Sequence, residues 1–299
     1  MLSWIAGIAG GVLALYLAGG AYLWAFQESF LFAPGPPPPP PSETEAPELR
    51  PVTLTTADGL GLTSWYAPPT EHGLIIVYFH GNAGNMAGRA YKARDLLDAG
   101  YGVLMVGYRG YNGNPGTPGQ DGFRLDGQAA LDWLDAQGID AARRVHYGES
   151  IGSATALPLA VERGAAAVVL EGAFTSIVAM ARRQYPIYPA SWLLRHPFDN
   201  LEAVRALRAP LLVMHGARDD LVPLEMAYTL GENALDAGNS RSDVVVFAEG
   251  THVDLFEHGA AGRVRAFLDA HVPQSVGAPR GPRALFPEQD EEDASGARN

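Results

Sequence analysis

Five short, almost wholly apolar runs recur along the middle of this chain, at residues 74–79, 103–106, 166–170, 211–214 and 244–247. A strand with no alternation of apolar and polar residues is buried on both faces. Helical stretches separate most of these runs, at 86–97, 122–136, 154–163, 224–235 and 262–271. Strands alternating with helices imply βαβ units, and hence an α/β fold with a mostly parallel, doubly wound sheet. Sheets of that kind keep their chemistry at the carboxyl ends of the strands. The loops that follow the runs are therefore where functional side chains are sought.

At 299 residues the chain can bury one large core. A net charge of −12 argues against nucleic acid, and against an anionic membrane surface, as a partner held by charge. The absence of cysteine excludes disulfides, thiolate metal sites and cysteine nucleophiles. Lys92 is the only lysine, and with the Ala and Gly excess this suggests a GC-rich bacterial genome.

Four segments are expected. Residues 1–27 read as a transmembrane anchor: residues 2–26 carry no charge, and about 20 apolar residues span a bilayer. Trp4 lies near one end, with Tyr22 and Trp24 near the other, where interfacial aromatics belong. A cleaved signal peptide is the competing reading, but it lacks a basic n-region. No Lys or Arg occurs before Arg50, which favours export of the C-terminal side: a single-pass protein of the bacterial inner membrane facing the periplasm. Residues 28–48, with six consecutive prolines from Pro36 to Pro41, read as a stiff spacer. Residues 49–272 form the α/β domain, and residues 273–299, rich in Pro, Gly and acids, read as a disordered tail.

The short run Val145-His146-Tyr147 leads into Gly148-Glu149-Ser150-Ile151-Gly152, and a small-residue helix follows at once. This is the pattern of a nucleophile elbow, a serine held on a sharp strand-to-helix turn. By itself it is weak in a chain with 35 glycines, so the other strand ends decide. His80-Gly81-Asn82-Ala83-Gly84-Asn85 can present backbone N–H groups, making Asn82 and Ile151 the candidate oxyanion donors. His80 reads as a support for that loop and Arg109 as half of a buried ion pair. Asp219 and Asp220 both follow the run at 211–214 and are both candidate orienting acids. His252, between a glycine turn and a helix, is the candidate base. Residues 174–200, with Tyr185, Tyr188 and Trp192, read as a short lid.

These residues resemble the membrane-anchored α/β-hydrolases related to the α/β-hydrolase-domain-containing serine hydrolases, whose eukaryotic members include protein depalmitoylases and lysophospholipases. The likeness rests on the loop at 80–85, Tyr108-Arg109-Gly110-Tyr111, the elbow, His215-Gly216-Ala217-Arg218-Asp219 with Val222-Pro223, and Gly250-Thr251-His252. The resemblance implies the α/β-hydrolase fold, with Ser150 as nucleophile, Asp219 as triad acid and His252 as base. Asn112, Asn114 and Glu149 depart from the usual pattern. The expected chemistry is hydrolysis of an ester or thioester of a small or acyl-chain substrate, needing neither metal nor cofactor. A serine peptidase of related fold and a non-catalytic membrane-tethered binding protein are the alternatives, and oligomeric state is left open.

Overall fold

The computed structural model describes residues 2–71 and 73–273. It opens on a long helix, α1 (Leu2–Leu31). The strands are β1 (Ala33–Pro34), β2 (Arg50–Thr55), β3 (Gly61–Ala67), β4 (Ile75–Phe79), β5 (Ala83–Gly84), β6 (Gly102–Val106), β7 (Arg144–Glu149), β8 (Ala167–Glu171), β9 (Leu211–Gly216) and β10 (Ser242–Phe247). The remaining helices are α2 (Ala90–Asp98), α3 (Gln120–Ala136), α4 (Ser153–Arg163), α5 (Ile177–Gln184), α6 (Ala190–Leu193), α7 (Asn200–Ala206), α8 (Leu224–Asp236) and α9 (Ala260–His271).

Eight strands form one sheet in the order β10-β9-β8-β7-β4-β6-β3-β2. Every pairing from β6 to β10 is parallel, while β3 runs antiparallel to both β2 and β6. The chain moves from β4 to β6 on one side, then crosses to β7 and onward on the other. That reversal beside β4 is the switch point at which such sheets open a crevice.

Successive residues of a strand point to opposite faces, and the core divides accordingly. Ile76, Tyr78, Val103, Met105 and Tyr147 pack on one face with Leu96 of α2 and Val264 and Phe267 of α9. Ile75, Val77, Phe79, Leu104 and Val106 pack on the other with Phe123 and Leu134 of α3 and Leu159 of α4. Farther along that face Leu170 and Val213 meet Val204 of α7 and Leu230 of α8. Burial on both faces is why the runs of β4, β6, β8 and β9 show no alternation, whereas β10, at the sheet edge, is largely half-buried.

Three segments differ from the sequence expectation. The hairpin of β2 and β3 escapes a search for continuous apolar runs, because β2 lies at the sheet edge with most residues exposed. Its one local signal is Asp58-Gly59, the glycine at φ +88°. The helix expected over 86–97 begins as a 3-10 turn, Met86–Arg89, capped by the Asn85 side chain accepting from Gly88 N–H. Residues 28–48 are not a projecting spacer: α1 continues to Leu31, and Ala33–Pro34 pairs in parallel with Ala83–Gly84. Phe32, Pro41 and Ala46 are buried, so the proline run lies against the domain. The expected tail lies outside the described residues, apart from Pro273. Ser3–Leu31 is long and apolar enough to cross a membrane, and nearly all of it is exposed.

Candidate active site

The elbow forms at the carboxyl end of β7, in the middle of the sheet. Ser150 adopts φ +50°, a left-handed conformation that costs a non-glycine residue free energy and here is held by close packing. A Cβ on Gly148 would lie 2.5 Å from Ser153 Cα, and one on Gly152 would overlap the carbonyl oxygen of Phe79. The elbow therefore rests directly on the end of β4, where the loop at 80–85 begins. Ser153 hydroxyl donates to the Ser150 carbonyl at 2.5 Å and fixes the turn.

His252 Nε2 lies 3.0 Å from Ser150 Oγ, and its Nδ1 lies 2.7 Å from Asp219 Oδ2. A carboxylate only accepts, so Nδ1 carries the proton and Nε2 is free to accept from the serine hydroxyl. The backbone N–H groups of Leu221 and Val222 donate to Asp219 Oδ1, at 2.9 and 2.8 Å. Burial pushes the Asp219 carboxyl up, but the His252 bond and the Val222 N–H outweigh it and hold the group below its ordinary range. His215, fully buried, donates through Nε2 to the Val222 carbonyl at 2.9 Å, with Asp219 Oδ2 at 3.3 Å from the same nitrogen. It braces the acid's loop, a role that sequence reasoning missed. Asp220 is exposed on the rim of a neighbouring cavity, which separates the two candidate acids.

The loop after β4 is fixed at both ends. Asn82 Oδ1 accepts from Tyr111 hydroxyl at 2.7 Å and from Ala33 N–H at 3.0 Å, so the segment after α1 bonds directly to the candidate oxyanion loop. His80 is buried, with Nδ1 2.8 Å from the Gly81 carbonyl and Nε2 3.2 Å from Asn112 Nδ2. Burial lowers its pKa to about 4, so it is a neutral support. Asn112 Oδ1 also accepts from Met86 N–H at 2.7 Å, and Asn114 brackets Thr63 of β3. The two asparagines thus tie the arginine loop to its neighbours. Arg109 pairs with Asp58 and with buried Asp126, each at 2.8 Å, as the ion pair expected for it.

Glu149, beside Ser150, shares a buried charge cluster with Glu171. Its Oε1 accepts from Arg89 Nη2 at 2.9 Å, and its Oε2 from Tyr78 hydroxyl at 2.5 Å and Lys92 Nζ at 3.3 Å. Lys92 also reaches Glu171 at 2.9 Å, and Arg89 donates to the carbonyls of Ala83 and Asn85. Burial pushes the Glu149 carboxyl up, yet Lys92 and Arg89 hold it well below the carboxylate range. A glutamate directly after a glycine gave no hint of two cationic partners, Arg89 and Lys92, 60 and 57 residues away along the chain.

Among the described residues no group of side chains is suited to hold a metal ion. No family model matches the chain. An uncharacterized protein of Mycobacterium tuberculosis is 36% identical over 212 residues, covering 70% of this chain and 75% of that protein. The α/β-hydrolase domain-containing protein WAV2 of Arabidopsis thaliana is 29% identical over 304 residues, covering 92% and 97% respectively. Among solved structures, an esterase of Pyrococcus furiosus, Pf2001, superposes with a TM-score of 0.66 at 21% identity, over 81% of this chain and 100% of that one. With the strand order, the switch point and these relatives in agreement, the chain belongs to the α/β-hydrolase family, as an enzyme of the serine-hydrolase type.

Proposed function

We propose that the chain hydrolyses carboxylic esters through an acyl-enzyme formed on Ser150. His252 Nε2 takes the hydroxyl proton as Ser150 Oγ attacks the ester carbonyl. Asp219 keeps the imidazole in the tautomer that leaves Nε2 open and stabilises the imidazolium that follows. The backbone N–H groups of Asn82 and Ile151 are the proposed donors to the oxyanion. His252 returns the proton to the leaving alcohol, then activates the water that releases the acid. The observation that carries this reading is the relay of 3.0 and 2.7 Å through one imidazole, between a serine at positive φ and a buried carboxylate.

Thioesters fall within the same chemistry, since the sulfur leaves more readily than an alkoxide. A location at the membrane is supported by α1, whose span from Ser3 to Leu31 meets the length and apolarity of a crossing helix. The insertion of α5 and α6 is the proposed lid, and the isolated bridge between Ser176 and Asp199 closes its base.

A fluorophosphonate probe tests the reading, applied to the full chain beside Ser150→Ala. Labelling of the parent and none of the variant is expected. A folded parent that resists the probe would overturn the enzyme and leave a binding protein on a hydrolase fold.

A further inference from the structure

A cavity of about 440 Å³ lies between α1 and the α5–α6 insertion. Its walls include Leu23, Phe30 and Leu31 of α1, Met180 of α5, Leu193 of α6 and Leu221. That volume falls in the range of small-ligand sites, and the lining is largely apolar. Asp220 and Leu221, which line it, are the two residues that follow Asp219, the partner of His252.

The helix is docked in a fixed register. Gln27, buried, donates to the Leu193 carbonyl at 3.0 Å and accepts from Arg195 N–H at 2.7 Å. Tyr16 stacks on Tyr188 at 4.9 Å and donates to the Ile187 carbonyl at 2.9 Å. A helix that served only as a tether needs none of these contacts.

The register also sets a depth. At a rise of about 1.5 Å per residue, with the interfacial aromatics Tyr22 and Trp24 at the near boundary, a spanning α1 enters the hydrocarbon just before Tyr22. Tyr16 then lies about 9 Å inside the boundary, and the lid residue Ile187 bonded to it lies at the same level. That matches the depth of about 5–10 Å at which interfacial apolar groups sit. Ile187 and Trp192, 69% and 87% exposed to water in the isolated chain, would be covered by lipid.

We propose that this cavity seats the acyl chain of a membrane lipid, with α1 as one wall and the lid immersed in the same leaflet. The inference rests on the ester-hydrolase reading and on α1 crossing the membrane, and it makes the helix a specificity element. Selection of chain length would then depend on residues upstream of the hydrolase domain.

The test uses the intact protein in phospholipid nanodiscs and reads binding apart from turnover. Ser150→Ala should bind a fluorescently tagged dodecanoic acid. Adding Leu23→Trp from the helix side, or Ala181→Trp from the lid side, should weaken that binding at least tenfold. In the active protein the same two substitutions should lower the kcat/KM ratio for p-nitrophenyl dodecanoate over acetate at least tenfold. Leu235→Trp, exposed on α8, should move neither readout. Unchanged binding and an unchanged ratio in both filled variants would overturn the cavity and leave the hydrolase standing. Binding that is lost on filling, in a parent that cleaves no ester, would sustain the cavity and overturn the hydrolase.

Discussion

Arg89 Nη2 lies 2.9 Å from Glu149 Oε1, and the same guanidinium donates to the carbonyls of Ala83 and Asn85. One side chain thus joins the loop bearing Asn82 to the residue before Ser150. Both halves of the proposed oxyanion site are held in register by a charge pair shielded from water, where electrostatic interactions are strong and vacancies costly.

Removing one partner should therefore do more than loosen the surface. Glu149→Ala would leave Arg89 without its carboxylate and Lys92 with Glu171 alone in a buried site. We expect a loss of about 3 kcal/mol in unfolding free energy, the usual scale for a broken buried pair. Urea denaturation measures it, and kcat for an ester should fall at least tenfold. A variant as stable as the parent would show that the cluster has no structural role.

The two neighbouring aspartates should separate cleanly. Asp219→Asn keeps the shape but gives His252 Nδ1 an amide in place of a carboxylate, and loss of the correct tautomer costs about 10⁴ in kcat in such triads. Asp220→Asn, exposed, should leave kcat for p-nitrophenyl acetate within about twofold. Equal losses in the two variants would refute the assignment of Asp219.

Stability should fall on mild acidification. His80 and His146 are buried, and burial lowers each pKa to about 4 from an ordinary value near 6.5. Between these values the unfolded chain binds protons that the folded chain refuses, so stability present above pH ~6.5 is lost as pH falls toward ~4. Each histidine can contribute about 3 kcal/mol across that window, as an upper estimate. Denaturation midpoints at pH 7.5 and 5.0 test it; equal midpoints would contradict the assignment.

The chain has no cysteine, so a single introduced thiol can be labelled uniquely. An environment-sensitive dye on Ile187→Cys should shift to the blue when the protein is moved from detergent-free buffer with short amphipols into lipid vesicles. The same dye on Leu235→Cys should not. Equal spectra at the two sites would remove the lid from the bilayer.

The strands, their order along the chain and the elbow were legible in the sequence because they are local. An uninterrupted apolar run has only one use in a water-soluble layer, and a serine between two glycines after such a run signals a tight turn. The order Ser150, Asp219, His252 was legible too, since each follows a strand whose end the topology sends to one edge. The choice between Asp219 and Asp220 was not, by residue type alone: it depends on which carboxylate the turn at Leu221 and Val222 aims inward.

Tertiary structure alone decided the rest. Six consecutive prolines exclude a helix or central strand, but they do not say whether the chain stands away from the domain or lies on it; the buried Phe32 and the pairing of Ala33 with Ala83 settle that. An apolar N-terminal run states that a helix can cross a membrane and is silent on what it touches, because the contacts of Gln27 and Tyr16 lie more than 160 residues away. Glu149 likewise acquires its meaning only where Arg89 and Lys92 reach it across the sheet. Sequence fixes what is set by neighbours along the backbone, whereas charge pairs and docking surfaces form between segments that only the folded chain brings together.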